Sequence, residues 1–195
     1  RHIWVCDTEF RAQPGEIPEP ICLVAHDLIT GDRLKTWLME TPPSLPFYSQ
    51  DSLFVAFYAS AEMGTLQSLG WYKPPAILDL YPEFRIMTNG LNDIKASLLG
   101  ACALLHVDGG DALLKDSMRA RIIEGPPYSE KEKDQILDYC EKDVLLTSEL
   151  FRKIRLQIDL PRALLRGRYS WTVATMERTG VPINALALEK LQTHW

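Results

Sequence analysis

Asp7 and Glu9 close the β-prone run Ile3-Trp4-Val5-Cys6-Asp7-Thr8-Glu9-Phe10, with a single residue between them. Successive strand side chains alternate faces, so both carboxylates project the same way from backbones about 7 Å apart. Two like charges that close repel unless a cation sits between them, which makes the pair a candidate metal site. The plainer reading is a strand end running into a polar loop, because so short a pattern recurs by chance. Far downstream, Tyr139-Cys140-Glu141-Lys142-Asp143 puts Tyr139 and Asp143 one helical turn apart on a shared face. Alone, that pair is a half-buried tyrosine near a solvent-facing aspartate. Its order after Asp7-x-Glu9 is what gives it weight.

The elements that must hold these residues can be read from periodicity. Residues 2–8 read as a strand, and 21–29 and 33–38 as two more, joined by the turn-like Thr30-Gly31-Asp32. A proline- and serine-rich loop follows over 41–52. Residues 53–57 read as a short buried strand, 62–69 as a helix closed by Gly70, and 76–80 as a fifth strand. Beyond that the apolar period changes from two to about 3.6, with helices expected over 82–87, 93–106 and 111–123. Ser129-Glu130-Lys131-Glu132 is a capping-box pattern opening a long helix to about residue 158. Pro161 restarts a helix over 162–179, ended by Gly180 and Pro182, and a last helix covers 185–194. Three antiparallel strands, then strand, helix, strand and a helical remainder make a mixed α/β domain.

The 195 residues are 46% hydrophobic, enough to bury one substantial core. Cys6, Cys22, Cys102 and Cys140 are scattered without a CxxC pair, as buried thiols of a reducing cytoplasm would be, so a cytoplasmic location is expected. They share no zinc-ligand spacing with His2, His26, His106 or His194. The longest near-apolar stretch, 96–105, is too short to cross a bilayer, and a soluble protein is expected. A start on Arg1, directly before a strand, points to a piece of a longer chain. The net charge of −5 argues against a general nucleic-acid binder, whose affinity comes from many phosphate contacts. It leaves room for local contacts. Arg152, Lys153, Arg155, Arg162, Arg166 and Arg168 read either as a solvated helix face or as a backbone-tracking patch.

An Asp-x-Glu ending the first strand, an acid opening the helix after the fourth strand and Tyr-x-x-x-Asp on a late helix resemble the three motifs of the Asp-Glu-Asp-Asp (DEDD) exonuclease superfamily. Asp138 stands where the histidine subclass has its histidine, so the tyrosine subclass is indicated. The text is similar to the proofreading domain of family A, bacterial DNA polymerase I-like, DNA polymerases. Ile77-Leu78-Asp79-Leu80-Tyr81, Glu83-Phe84-Arg85, Leu98-Leu99-Gly100, Lys115, Met118, Arg119 and Ile136 to Glu141 carry that likeness. It covers residues 2 to about 157. Met176 to Asn184 resembles the segment that leads towards a polymerase thumb. The resemblance implies an exonuclease domain over 1–157 and a helical linker over 158–195. It also implies a ribonuclease H-like five-stranded mixed sheet, three antiparallel strands then two parallel, flanked by helices.

One position departs from the pattern. Where the second motif has Asn-x-x-x-Asp, this chain aligns Tyr58 and Glu62, keeping the charge on an arm one methylene longer. Magnesium demands near-ideal octahedral geometry, so Glu62 needs a backbone set further back or a bridging water. Asp79 competes for this role. Glu62 is preferred because it opens a helix directly after a strand, whereas Asp79 serves as readily as a helix cap.

Taken physically, the resemblance implies two divalent ions, Mg²⁺ or Mn²⁺, held by Asp7, Glu9, Glu62 and Asp143, with Tyr139 orienting the attacking water. The reaction implied is 3′ to 5′ hydrolysis of terminal phosphodiesters of single-stranded or frayed DNA, releasing nucleoside 5′-monophosphates. A polymerase domain in the same chain is implied too. Phe10 is a candidate wedge against the terminal base, or else a core aromatic. Tyr58 is expected beside the substrate. Lys115 and Arg119 can meet the phosphate backbone or form a solvated face. Trp71 and Trp171 are expected in the core. Two other readings stay open: a catalytically silent scaffold of a polymerase, and an RNA-trimming enzyme of the ribonuclease D kind.

Overall fold

Ile3-Trp4-Val5-Cys6 combines β-branched and aromatic residues that want burial on both faces, and such a run belongs in the middle of a covered sheet. It lies there. In the computed structural model, which describes residues 1–13, 16–39, 45–91, 94–109 and 112–194, with side chains of 112–115 outside the description, β1 (His2–Arg11) is the central strand. It is flanked by β2 (Glu19–Asp27) and β3 (Arg33–Trp37) on one side and by β4 (Ser52–Ala56) and β5 (Ala76–Asp79) on the other. The order is β3-β2-β1-β4-β5; β1, β2 and β3 pair antiparallel, and β4 and β5 run parallel to β1. The expected five-stranded mixed sheet is therefore present.

The β2–β3 turn is made by Gly31 at φ 82°, a conformation that favours glycine. Asp27 ends β2 two residues earlier than the apolar run suggests, because its buried side chain accepts the N–H groups of Ile3 and Ile29. Seven helices follow among the described residues: α1 (Ser60–Ser68), α2 (Leu80–Met87), α3 (Leu98–Leu104), α4 (Ala112–Glu124), α5 (Glu130–Ile154), α6 (Leu160–Thr179) and α7 (Ala185–His194). The capping box at Ser129 is formed in both directions, the Ser129 side chain accepting from Glu132 N–H and Glu132 accepting from Ser129 N–H.

The helix expected over 93–106 is shorter. Residue 93 lies outside the description, and α3 starts only after Ser97, whose Oγ accepts the Gly100 N–H at 3.1 Å. A serine in extended conformation captures the first free N–H groups and so fixes the helix start at itself. The apolar residues before it, such as Ile94, pack from a loop.

Strand alternation divides the core in two. Val5, Val24, Val55 and Leu78 face α5, where Ile136, Cys140 and Val144 are fully buried. Trp4, Cys6, Phe54 and Ile77 face α1, whose Met63 and Leu66 are also fully buried. Each such side chain stabilises the fold by about 1.5–3 kcal/mol. Trp71 and Trp171 are partly buried against this second core.

Helix α6 closes the β5 edge and contributes to both cores, through Ala163 and Ala174. A Cβ on Gly167 would stand 1.9 Å from the Ile77 carbonyl oxygen, so this close approach requires glycine. Polar ties complete the docking: Arg166 binds Glu83 through two 2.7 Å bonds, and Gln67 Nε2 donates to Trp171 O and Thr175 Oγ1. Helix α7 buries no side chain. None of the described helices is long and apolar enough to cross a membrane.

Candidate active site

The carboxyl ends of the parallel strands β1, β4 and β5 lie together, and ligands of open α/β sheets gather there. Asp7 and Glu9 continue the Ile3–Val5 face of β1 and so point at α5. Their carboxylate oxygens and Cys140 Sγ all lie within 4.8 Å of one another. The Cys140 thiol donates to Asp7 Oδ2 and to Asp7 O, each at 3.4 Å. The roughly 7 Å backbone separation thus closes at the side-chain tips.

From the other side of the sheet, Glu62 in the first turn of α1 reaches the same end of the strands. It is 3% exposed, and its Oε2 has no hydrogen-bond partner among the described residues. Burial, then the charge of Asp7 and, more weakly, those of Asp79 and Asp143, raise its pKa well above the usual carboxylate range. Asp143 is buried, on the turn of α5 after Tyr139. Tyr139 is half-buried; burial first, then Asp143, Glu9 and Asp7, push its phenol pKa up, while Arg119 pulls it down. Asp7 and Asp143 thus act on both Glu62 and Tyr139, and Glu9 acts on Tyr139. Oxygen donors of this kind, one of them buried without a partner, fit a hard divalent cation.

Asp79 is engaged otherwise. Its Oδ1 accepts the N–H groups of Tyr58 and Tyr81, both at 3.0 Å, and its Oδ2 accepts from Ser170 Oγ at 3.0 Å. It caps α2 and pins the turn leading into α1.

On the α1 and α6 side lies a cleft of about 400 Å³ whose walls include Phe10, Tyr58, Ser60, Gly64, Glu177 and Arg178 and none of Asp7, Glu9, Glu62, Tyr139 and Asp143. Phe10 turns to the face opposite Glu9. Tyr58 is 50% exposed at φ 75°, a rare conformation for an aromatic residue, and it is held there by Asp79. A smaller hollow of about 190 Å³ borders Tyr139 on the α4 side, with Met118 and Lys142. Arg119 is exposed nearby. The side chain of Lys115 lies outside the described residues.

Within the basic run 152–168, Arg152 pairs with Glu149, Arg162 with Asp159 and Arg166 with Glu83, while Lys153 donates to His106 O. Much of that charge is already answered within the protein. Two contributions escaped the sequence. Cys140 is buried in the core as expected, but its contact with Asp7 has no signal in the sequence beyond its place directly after Tyr139. Glu177 and Arg178 reach the cleft only because α6 docks on α1.

No protein-family model and no curated protein matches the sequence. Solved structures do match in fold. Trypanosoma brucei RNase D in complex with RNA U12 is 15% identical with a TM-score of 0.66, over 94% of this chain and 65% of that one. The chain therefore spans slightly less than two thirds of that ribonuclease. A structure described as the apo form of a nuclease is 14% identical with a TM-score of 0.66, over 95% of this chain and 90% of that one. The Aedes aegypti Nibbler EXO domain is 14% identical with a TM-score of 0.52, over 84% of each chain. The chain shares its ribonuclease H-like fold with these structures.

Proposed function

We propose that the chain is a metal-dependent 3′ to 5′ exonuclease that hydrolyses the terminal phosphodiester of a nucleic acid strand and releases a nucleoside 5′-monophosphate. The observation that carries this reading is the convergence of Asp7, Glu9, Glu62 and Asp143 with Tyr139 from three separate elements, β1, α1 and α5. Bound divalent cations, Mg²⁺ or Mn²⁺, supply charge neutralisation at the phosphate and acidify water.

The chain's own residues do the rest. The four carboxylates hold positive charge at one end of the sheet. Tyr139, kept as a phenol by burial and its acidic neighbours, orients the attacking water by hydrogen bonding and is no base at neutral pH. Phe10 and Tyr58 offer ring faces to a splayed terminal base, and Arg119 offers a phosphate contact.

The motif order and the Met176–Asn184 segment favour DNA and a proofreading-type module, with residues 158–195 leading towards a polymerase. A second reading, RNA 3′ trimming, is favoured by the fold shared with an RNase D solved with RNA. The test uses 5′-labelled DNA and RNA oligomers of one sequence, single-stranded, duplex and mismatched, with and without Mn²⁺. Stepwise shortening from the 3′ end, lost in Asp7→Ala and Asp143→Ala, is expected. Undiminished release by either folded variant overturns the proposal, and the DNA-to-RNA rate ratio decides the substrate, since only RNA carries the 2′-hydroxyl.

A further inference from the structure

Cys140 stands where a buried thiol has an unusual neighbour. Its side chain is fully buried, yet its sulfur is 3.4 Å from Asp7 Oδ2 and within 4.8 Å of the Glu9 carboxylate. The thiol donates its S–H to Asp7 Oδ2. Independently, Glu62 Oε2 is buried without a hydrogen-bond partner among the described residues. A carboxylate oxygen so placed is stabilised by a proton or by a cation.

We propose that Cys140 is a metal ligand, and that with Asp7 and Glu9 it forms a site for a thiophilic cation, Zn²⁺, in which the ion replaces the proton shared between Cys140 and Asp7. In tetrahedral zinc sites, Zn–S of about 2.3 Å and Zn–O of about 2.0 Å set sulfur and oxygen roughly 3.5 Å apart. The observed 3.4 Å meets that without movement of either side chain. Three protein ligands and a water complete the coordination, and one proton leaves to solvent for each ion bound. Mg²⁺ and Mn²⁺ prefer oxygen and ignore the thiol. Zn²⁺ therefore competes for Asp7 and Glu9 while drawing on a donor that the hard ions do not use, and it inhibits a reaction driven by them. The inference deepens the proposed function and rests on its metal site.

The test is a titration of wild-type protein with Co²⁺, whose thiolate complexes show a charge-transfer band in the near ultraviolet, followed by displacement with Zn²⁺. The band is expected in wild type and in Cys22→Ser, and absent in Cys140→Ser, Cys140→Ala and Asp7→Asn. Calorimetric Zn²⁺ affinity is expected to fall at least about tenfold in Cys140→Ser, with Mg²⁺ affinity retained. Two Cys140 variants guard against one that fails to fold, as judged by circular dichroism. No band in wild type, or one that survives loss of Cys140, overturns the assignment. Nucleotide release in Mn²⁺ is measured separately, so failure of the hydrolase reading leaves the cobalt spectrum to decide this one.

Discussion

Asp79 Oδ1 accepts the backbone N–H groups of both Tyr58 and Tyr81 at 3.0 Å, so a single carboxylate caps α2 and holds Tyr58 at φ 75° on the rim of the cleft. The acid that competes with Glu62 in the sequence is thus occupied with backbone. Asp79→Ala leaves two N–H groups without their acceptor and is expected to cost about 2–4 kcal/mol by urea denaturation. Asp79→Asn keeps the Oδ1 acceptor and is expected to cost less, with divalent-cation affinity retained. A loss of cation binding in Asp79→Asn as large as that in Glu62→Gln would return Asp79 to the metal site.

Glu62 gives a pH signature. Burial, reinforced by Asp7, raises its folded pKa, so the folded protein holds a proton that the unfolded chain releases near pH 4.3. The contribution of Glu62 to stability is therefore greatest below that pH and is lost as pH rises through the folded pKa. In metal-free protein, Glu62→Gln is expected to flatten this decline and to raise the Tm at about pH 8 by roughly 2–4 °C for each kcal/mol relieved. Asp79, also raised by burial, leaves a residual slope of the same sign. Parallel melting profiles for wild type and Glu62→Gln across pH 4–8 would count against the assignment.

Tyr139 separates orientation from proton transfer. Its phenol is held protonated by burial and by Asp143, Glu9 and Asp7. The rate of nucleotide release should then show no alkaline limb from this group below about pH 10. Tyr139→Phe is expected to slow release roughly 10- to 100-fold while leaving calorimetric Mn²⁺ affinity unchanged. Equal loss of both would make Tyr139 part of the cation site itself.

Gly167 reports on α6. A methyl group there meets the Ile77 carbonyl oxygen at 1.9 Å, so Gly167→Ala must push the helix off β5, at a cost of about 1–3 kcal/mol or more. Gly64→Ala in α1 is the control, since its Cβ meets only Pro18 Cγ at 3.6 Å, and it should be neutral or stabilising by up to about 1 kcal/mol. Similar melting temperatures for the two variants would mean that α6 does not rest on the sheet as described.

Local chemistry made much of this readable in advance. Alternation in Ile3–Glu9 placed both acids on one face, and the Ser129–Glu132 capping box set the start of the helix that carries Tyr139 and Asp143. Thr30-Gly31-Asp32 announced the turn that makes the first strands antiparallel. At Ser97 the helix starts later than the apolar period predicts, because that period alone cannot distinguish helix from packed loop and the serine cap sets the start.

The sequence by itself determined which residues share a face and in what order the motifs come, because strand and helix periods act over a few residues. Only the tertiary structure distinguishes the surroundings of Glu62 and Asp79, which both follow a strand: Glu62 has one buried oxygen without a partner among the described residues, whereas Asp79 is bonded to Tyr58, Tyr81 and Ser170. It likewise decided that Cys140 touches Asp7 across 133 residues and that α6 supplies Glu177 and Arg178 to the cleft. Such contacts depend on how helices dock onto the sheet, and close packing of side chains over the whole core sets that docking.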